Sequence, residues 1–141
     1  MTESDIRRIE SSVGFLLPVE YRRFLLEHAR AIPDLKRKAR QQGLFGVYPY
    51  STIEGIVSSN TGDRTWMRIG AEGDDQPFAD HVVFIADNGG GDYYFVYRAS
   101  NDQGVWLWDH ECQSARLVQR DLKSYFESLD VHVDKPWWKF W

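Results

Sequence analysis

The sequence predicts an α+β fold: a single domain whose mostly antiparallel meander sheet is flanked by N-terminal and C-terminal helices. Three observations predict it. Apolar residues fall three and four apart in the first thirty positions and again near position 125, which is helical spacing. Between them lie short aromatic and β-branched runs at strand spacing. Those runs are separated by the turn signals Asp87-Asn88-Gly89-Gly90-Gly91 and Asn101-Asp102-Gln103-Gly104. A chain of 141 residues and 16.5 kDa is the size of one domain. Its expected span is 1–141, with a core over about 3–130 and an aromatic C-terminal tail over 131–141.

Element by element, Thr2 or Ser4 can cap a first helix whose Ile6, Ile9 and Val13 share one face and which Gly14 ends. Proline is pre-set for a first helical turn, so Leu17-Pro18 starts a second helix. Its face is Tyr21, Phe24, Leu25 and His28, and it runs to about Ala31. The basic stretch at 35–42 offers little apolar surface and is expected to be exposed and only partly helical. Residues 45–50 suit an edge strand or loop, and Ser51 or Thr52 can cap a helix over about 53–59. Strands are expected at 66–69, 81–86, 92–98, 105–109 and 115–118. The run Val82-Val83-Phe84-Ile85 is continuously apolar, which predicts a central strand buried on both faces. Asp121 caps a last helix with a stripe of Leu122, Tyr125, Phe126 and Leu129.

Composition narrows the function classes. Apolar residues are 43% and aromatics 15%, enough for a real core and too many for a disordered chain. A lone cysteine, Cys112, excludes a disulfide framework and a cysteine-based zinc site. The first residues carry no signal-peptide h-region and no run reaches the ~18 apolar residues of a bilayer span, so a cytoplasmic protein with no membrane partner is expected. A net charge of −4 argues against a dedicated nucleic-acid binder. Charge is also unevenly spread. Seven basic residues lie over 22–40 against two acids, whereas 70–96 holds six acids (Glu72, Asp74, Asp75, Asp80, Asp87, Asp92) and no Lys or Arg. Such asymmetry can steer a charged partner unless folding interleaves the two segments.

Four short motifs occur in order along the chain: Pro18-x-x-Tyr21-Arg22-x-Phe24-Leu25, Gly90-Gly91-Asp92 after an apolar run, Val105-x-x-Trp108-Asp109-His110-Glu111, and Ser124-x-Phe126-x-x-Leu129. In that order and spacing the sequence resembles the SUKH superfamily, which contains the Smi/Knr-type regulators and many bacterial immunity proteins. The likeness covers roughly residues 3–130. The chain departs from it in the basic stretch at 32–46 and in the aromatic residues after Leu129. The resemblance implies an α+β domain that works by binding proteins, either neutralising a cognate toxin or serving as a regulatory or scaffolding module. It implies no catalytic role and no shared active-site signature.

Each candidate chemistry has a plainer alternative. His110-Glu111 opens like a zinc-protease helix, but position 114 is serine, so the second histidine is missing. His110 and Cys112 share a face in an extended segment without a third group to orient the base, and packing explains a single thiol as well. The turn at 87–92 can expose N–H groups to an anion, but it lacks the P-loop lysine and its carboxylates repel phosphate. It also lacks the regular oxygen spacing and bidentate Glu of a calcium loop, which leaves a hairpin that needs glycine for its backbone. The basic stretch at 30–40 has no interleaved aromatics to stack bases. Trp137, Trp138, Phe140 and Trp141 form a surface that something must cover. Either Pro136 turns the tail back onto its own domain, or the tail is a dimer contact or partner anchor.

The resulting expectation is a non-enzymatic protein with no cofactor and no metal, a monomer or weak homodimer. Its expected partner is a basic toxin domain, possibly a nuclease, occluded through Asp74, Asp75, Asp80, Asp87, Asp92, Trp137, Trp138 and Trp141. A nuclease must carry positive charge to hold phosphate, so acids on an inhibitor compete for that surface.

Overall fold

The computed structural model describes residues 1–43, 46–62, 64, 66–67, 78–99 and 101–134, the last five by their backbone only. Helices α1 (Glu3–Val13), α2 (Val19–His28), α3 (Ile32–Gln41) and α4 (Ile53–Thr61) precede a 3-10 turn at Phe78–His81. Strands β1 (Val82–Asp87), β2 (Tyr93–Tyr97), β3 (Val105–Asp109) and β4 (Ser114–Gln119) follow, and α5 (Leu122–Asp134) closes the described chain. The four strands form an antiparallel meander in the order β1-β2-β3-β4. The architecture is the α+β arrangement that the sequence predicts.

Local chemistry explains the helix ends. Thr2 accepts the Asp5 N–H while the Asp5 carboxylate accepts the Thr2 N–H, a reciprocal capping box. Gly14 ends α1 at φ +80°, a conformation that costs only glycine nothing. Glu10 is buried beneath this turn, where it accepts the Leu17 N–H at 2.9 Å and lies 3.7 Å from Arg22. That carboxylate ties α1 to α2. Pro18 is the N-cap of α2 rather than its first helical residue. Thr52 caps α4, and Asp121 accepts the Ser124 N–H at 2.6 Å to start α5.

Three expectations are corrected. The basic stretch is a complete ten-residue helix, α3, because Ile32, Leu35 and Ala39 form a buried stripe. Its charges occupy the other faces, and the stripe packs toward α5. Strand β1 is buried on both faces but lies at the edge of the sheet, not in its centre. Its outer edge is satisfied by loop and helix groups: Asn60 donates to Phe84 O and accepts Phe84 N–H, both at 2.9 Å, and Tyr50 N–H donates to Ile85 O at 2.7 Å. An edge paired in this way is closed to another strand and can be as apolar as a central one. Trp66 and Met67 stand in a turn, closed by Met67 N–H to Arg64 O, and not in a strand, whereas residues 46–50 take the loop form of the two that the sequence allows. Positions 68–69 of that expected first strand lie outside the described residues.

The sheet has two dissimilar faces. Val83, Ile85, Val96 and Val105 join residues of all five helices, among them Ile6, Ile9, Tyr21, Ile32, Ile56, Leu122 and Leu129, in the larger core. A bulge between Phe84 and Ala86 turns both Ile85 and Ala86 toward that side. The opposite face is aromatic. Phe84, Phe95 and Trp106 stand in cross-strand register with Leu117, beside the row Tyr93, Trp108 and Ala115. Phe78 and Met67 cover their middle.

Candidate functional site

The meander register fixes what stands at the hairpin end of the sheet. Asp87 pairs with Tyr93, and Tyr93 pairs with Trp108, so the β1–β2 turn and the β3–β4 turn lie side by side. Asp87 and Asp92 come from the first turn, and Asp109, His110 and Glu111 from the second. The glycine-rich segment is a hairpin turn, with Gly89 at φ +72° and Gly91 at φ +109°. Gly91 lies so close to the His110 ring that a Cβ there would stand 3.1 Å from it.

Hydrogen bonds hold this end rigidly. The His110 Nδ1 and Asp92 Oδ1 are 2.7 Å apart, and the same oxygen accepts the His110 N–H at 3.1 Å. Asn88 donates to Asp92 Oδ2 at 2.7 Å, and its own Oδ1 accepts the N–H groups of Gly90 and Asp92. Asp87 accepts the Gly89 N–H and the Tyr50 hydroxyl, the latter at 2.6 Å. Asp109 accepts the N–H groups of Glu111 and Cys112.

These contacts set the charge. The hydrogen bonds from His110 hold the Asp92 carboxyl below its usual range, and the backbone N–H of Cys112 does the same for Asp109. In return, the hydrogen bond to Asp92 raises the His110 pKa. Burial raises the Tyr50 phenol well above its ordinary value, and its bond to Asp87 adds to the rise, so it stays a neutral donor. The result is four carboxylates against one histidine on an exposed ridge, with Asp92 itself half-buried. The two charged segments of the sequence do approach each other here. Lys36 of α3 lies over the Tyr48 ring and feels the Asp87 charge.

The acids named from sequence therefore separate into groups. Asp87 and Asp92 are brought together, and Asp109 and Glu111 join them. Asp80 lies in the 3-10 turn at the opposite end of β1, roughly 20 Å away along a six-residue strand, where its charge acts on Arg98. Asp74, Asp75, Trp137, Trp138 and Trp141 lie outside the described residues. Only the strand register places Asp109 and Glu111 beside the first turn, so spacing along the chain does not reveal their proximity to Asp87 and Asp92. The segment Asp109-His110-Glu111, directly after a strand, was the available signal.

The same cluster bears on metal and catalysis. Asp92, Asp109 and His110 offer one ligand atom each within 4.8 Å of one another. His110 Nδ1 is engaged by Asp92, and Asp109 Oδ1 by two backbone N–H groups, so these atoms already have partners within the turns. Asp92 and His110 also form an oriented acid–base pair. That pair stands on an open turn, with the His110 side chain 40% exposed and Cys112 exposed beside it, in contrast to the enclosed constellation a nucleophilic site needs.

An α+β domain with a rigid, anionic sheet end and an oriented pair left open to solvent has the features of a binding domain. The sequence matches the SMI1/KNR4 family (SUKH-1) over residues 1–128, and the chain belongs to that family. No curated protein and no solved structure matches it. No described helix is long and apolar enough to cross a membrane.

Proposed function

We propose that this protein is an immunity-type SUKH domain that neutralises a basic toxin domain, possibly a nuclease, by occluding its active surface, and that it acts in the cytoplasm by binding rather than by catalysis. The observation that carries this reading is the hairpin end, where two turns set Asp87, Asp92, Asp109 and Glu111 side by side. Membership of the family supports protein binding in general. The acids supply the rest of the argument. Carboxylates fixed by backbone and side-chain bonds meet a cationic surface without reorganising, and their summed field accelerates encounter. Asp87 and Glu111, exposed at the ridge, are the contact residues, whereas Asp92 positions the second turn through His110. Asp80, Asp74 and Asp75 extend the acidic character of the same stretch of chain.

The experiment is affinity capture of the tagged protein from its own cells and from mixed competing cultures, with washes at low and high salt. The expected result is a near-stoichiometric basic protein, toxic on expression and detoxified by co-expression of this chain. Recovery of a housekeeping complex instead would assign the domain to the regulatory and scaffolding branch of its family.

A further inference from the structure

A second surface lies between α2 and α5. The β2–β3 turn contributes Gln103 to it, and in a meander that turn stands at the opposite end of the sheet from the acidic ridge. Glu20, Arg23 and Glu27 on α2 face Asp121, Lys123 and Glu127 on α5 across an open groove of about 550 Å³. Its floor is aromatic: Phe24 meets Phe126 edge-on, and the His28 ring stacks on Phe126 at 4.2 Å and 21°. Phe24 is buried, whereas His28 and Phe126 are half-buried and keep part of their rings open to the groove. Past Glu20 and Leu122 the groove continues into a second hollow of about 270 Å³ beside Val19, which is 70% exposed.

Charge and length decide what fits. Four carboxylates against two cationic side chains leave the rim net negative. Arg23 is held by Glu20 at 3.1 Å and Lys123 lies 3.8 Å from Glu127, so both bases are already engaged within the walls. Glu27, its side chain 57% exposed, projects at the same rim beside His28. Such a rim repels phosphate, which sets aside nucleic acid and anionic lipid, and attracts Lys or Arg. The half-open rings give an aromatic side chain or a guanidinium a face to pack on. Along α2 the two hollows reach from Val19 to His28, roughly 14 Å of helix, the length of about four extended residues. A trough of that length is matched to a peptide segment rather than to a single ion.

We infer that the α2–α5 groove docks a short peptide segment of a partner protein that carries Lys or Arg beside an aromatic residue. The aromatic ring packs against His28 and Phe126, and the cationic side chains meet Glu20, Glu27 and Glu127. The five-residue strand β2 leads from the hairpin end to the turn that holds Gln103, roughly 17 Å away, so the domain can hold partners at both ends together. The inference stands whether or not the acidic ridge binds a toxin.

The test is selection from a displayed library of random short peptides on the immobilised full chain in low salt. It is run in parallel on Glu20→Gln/Glu27→Gln/Glu127→Gln and on Asp87→Lys/Glu111→Lys. All five substituted positions are exposed or half-exposed, and a native-like circular dichroism spectrum confirms that each variant folds. The expected result is enrichment of peptides that pair Lys or Arg with Trp, Tyr or Phe on the native chain and on the ridge variant, and its loss on the groove variant. An enriched peptide should displace the amide NMR signals of Glu27, His28 and Phe126 in the native chain. Its counterpart with glycine in place of the aromatic residue should bind at least about tenfold more weakly. No enrichment on any bait, equal enrichment on the groove variant, or enriched peptides without that pairing would overturn the inference. Enrichment lost on the ridge variant and kept on the groove variant would overturn it while leaving the hairpin-end reading in place.

Discussion

On one face of the sheet Val83, Ile85, Val96 and Val105 meet residues from five helices; on the other, Phe84, Phe95, Trp106 and Trp108 meet Phe78, Met67 and the guanidinium of Arg64. The first face is closed by long elements that each bring an amphipathic stripe. The second is held by rings that pack on one another: Phe78 contacts Phe84, Phe95 and Trp108, and Arg64 lies 4.7 Å above Phe84 and 4.5 Å above Tyr93. Trp66 and Leu117, at its margins, remain about half exposed, at 51% and 52%. Aliphatic burial on the helical face is spread over many partners, whereas the aromatic face concentrates its packing in a few large side chains.

The sharpest way to break this comparison is at Trp108, which is fully buried at the centre of the aromatic face. Trp108→Ala should cost about 3–5 kcal/mol, read as a fall in the urea midpoint. A loss under about 1 kcal/mol would mean that the aromatic face is not a core. Trp66→Ala, at the exposed margin and edge-on to Trp108 at 5.5 Å, sharpens the contrast by costing much less. Next comes Asn60, which closes the edge of β1 where the two faces meet. Asn60→Ala leaves the Phe84 N–H and C=O without their side-chain partner and should cost about 2–3 kcal/mol. It should also expose an edge, so aggregation on concentration is the accompanying readout.

At the hairpin end, Gly91→Ala forces a side chain to φ +109° against the His110 ring and should cost about 1–3 kcal/mol, with displacement of the His110 signals in NMR spectra. The smallest effect is the pH dependence of the Asp92–His110 pair. His110 titrates above its ordinary 6.5 and Asp92 below its ordinary 3.8. The pair's contribution is therefore complete between those two values. It is lost as pH rises through the raised His110 pKa, and lost again as acid protonates Asp92 through its lowered one. Urea midpoints of the native protein should fall slightly between about pH 5 and about pH 8.5 relative to Asp92→Asn, and equal changes would show that the pair is not coupled to folding.

Much of this architecture is legible in the sequence, because amphipathic helices and glycine-marked hairpins are encoded locally. Ile6, Ile9 and Val13, the Asp121 cap and the turn at 87–92 are cases where spacing and backbone chemistry suffice. The misses are tertiary. In α3 the charges of Lys36, Arg37, Lys38 and Arg40 obscured the stripe Ile32, Leu35 and Ala39, which becomes valuable only with α5 beside it. The apolar run of β1 reads as central because Asn60, twenty-four residues upstream of Phe84, supplies the missing edge partner. The acidic ridge was half legible. Asp87 and Asp92 belong to a visibly acidic stretch, but Asp109 and Glu111 join them only through strand register, and the same register leaves Asp80 at the far end. His28 reads as a helix-end residue, and its stacking on Phe126 depends on α2 and α5 lying side by side.

The central claim is that the hairpin end is the surface that meets a cationic partner. The most direct measurement compares the native protein with Asp87→Lys/Glu111→Lys in affinity capture at low and high salt, with folding confirmed by a native-like circular dichroism spectrum and a cooperative urea transition. The account predicts a basic partner that the native protein retains in low salt, loses progressively as salt rises, and that the double variant fails to hold. Retention of the same partner by the variant, with the same salt dependence, would contradict it and move the interface away from the sheet end.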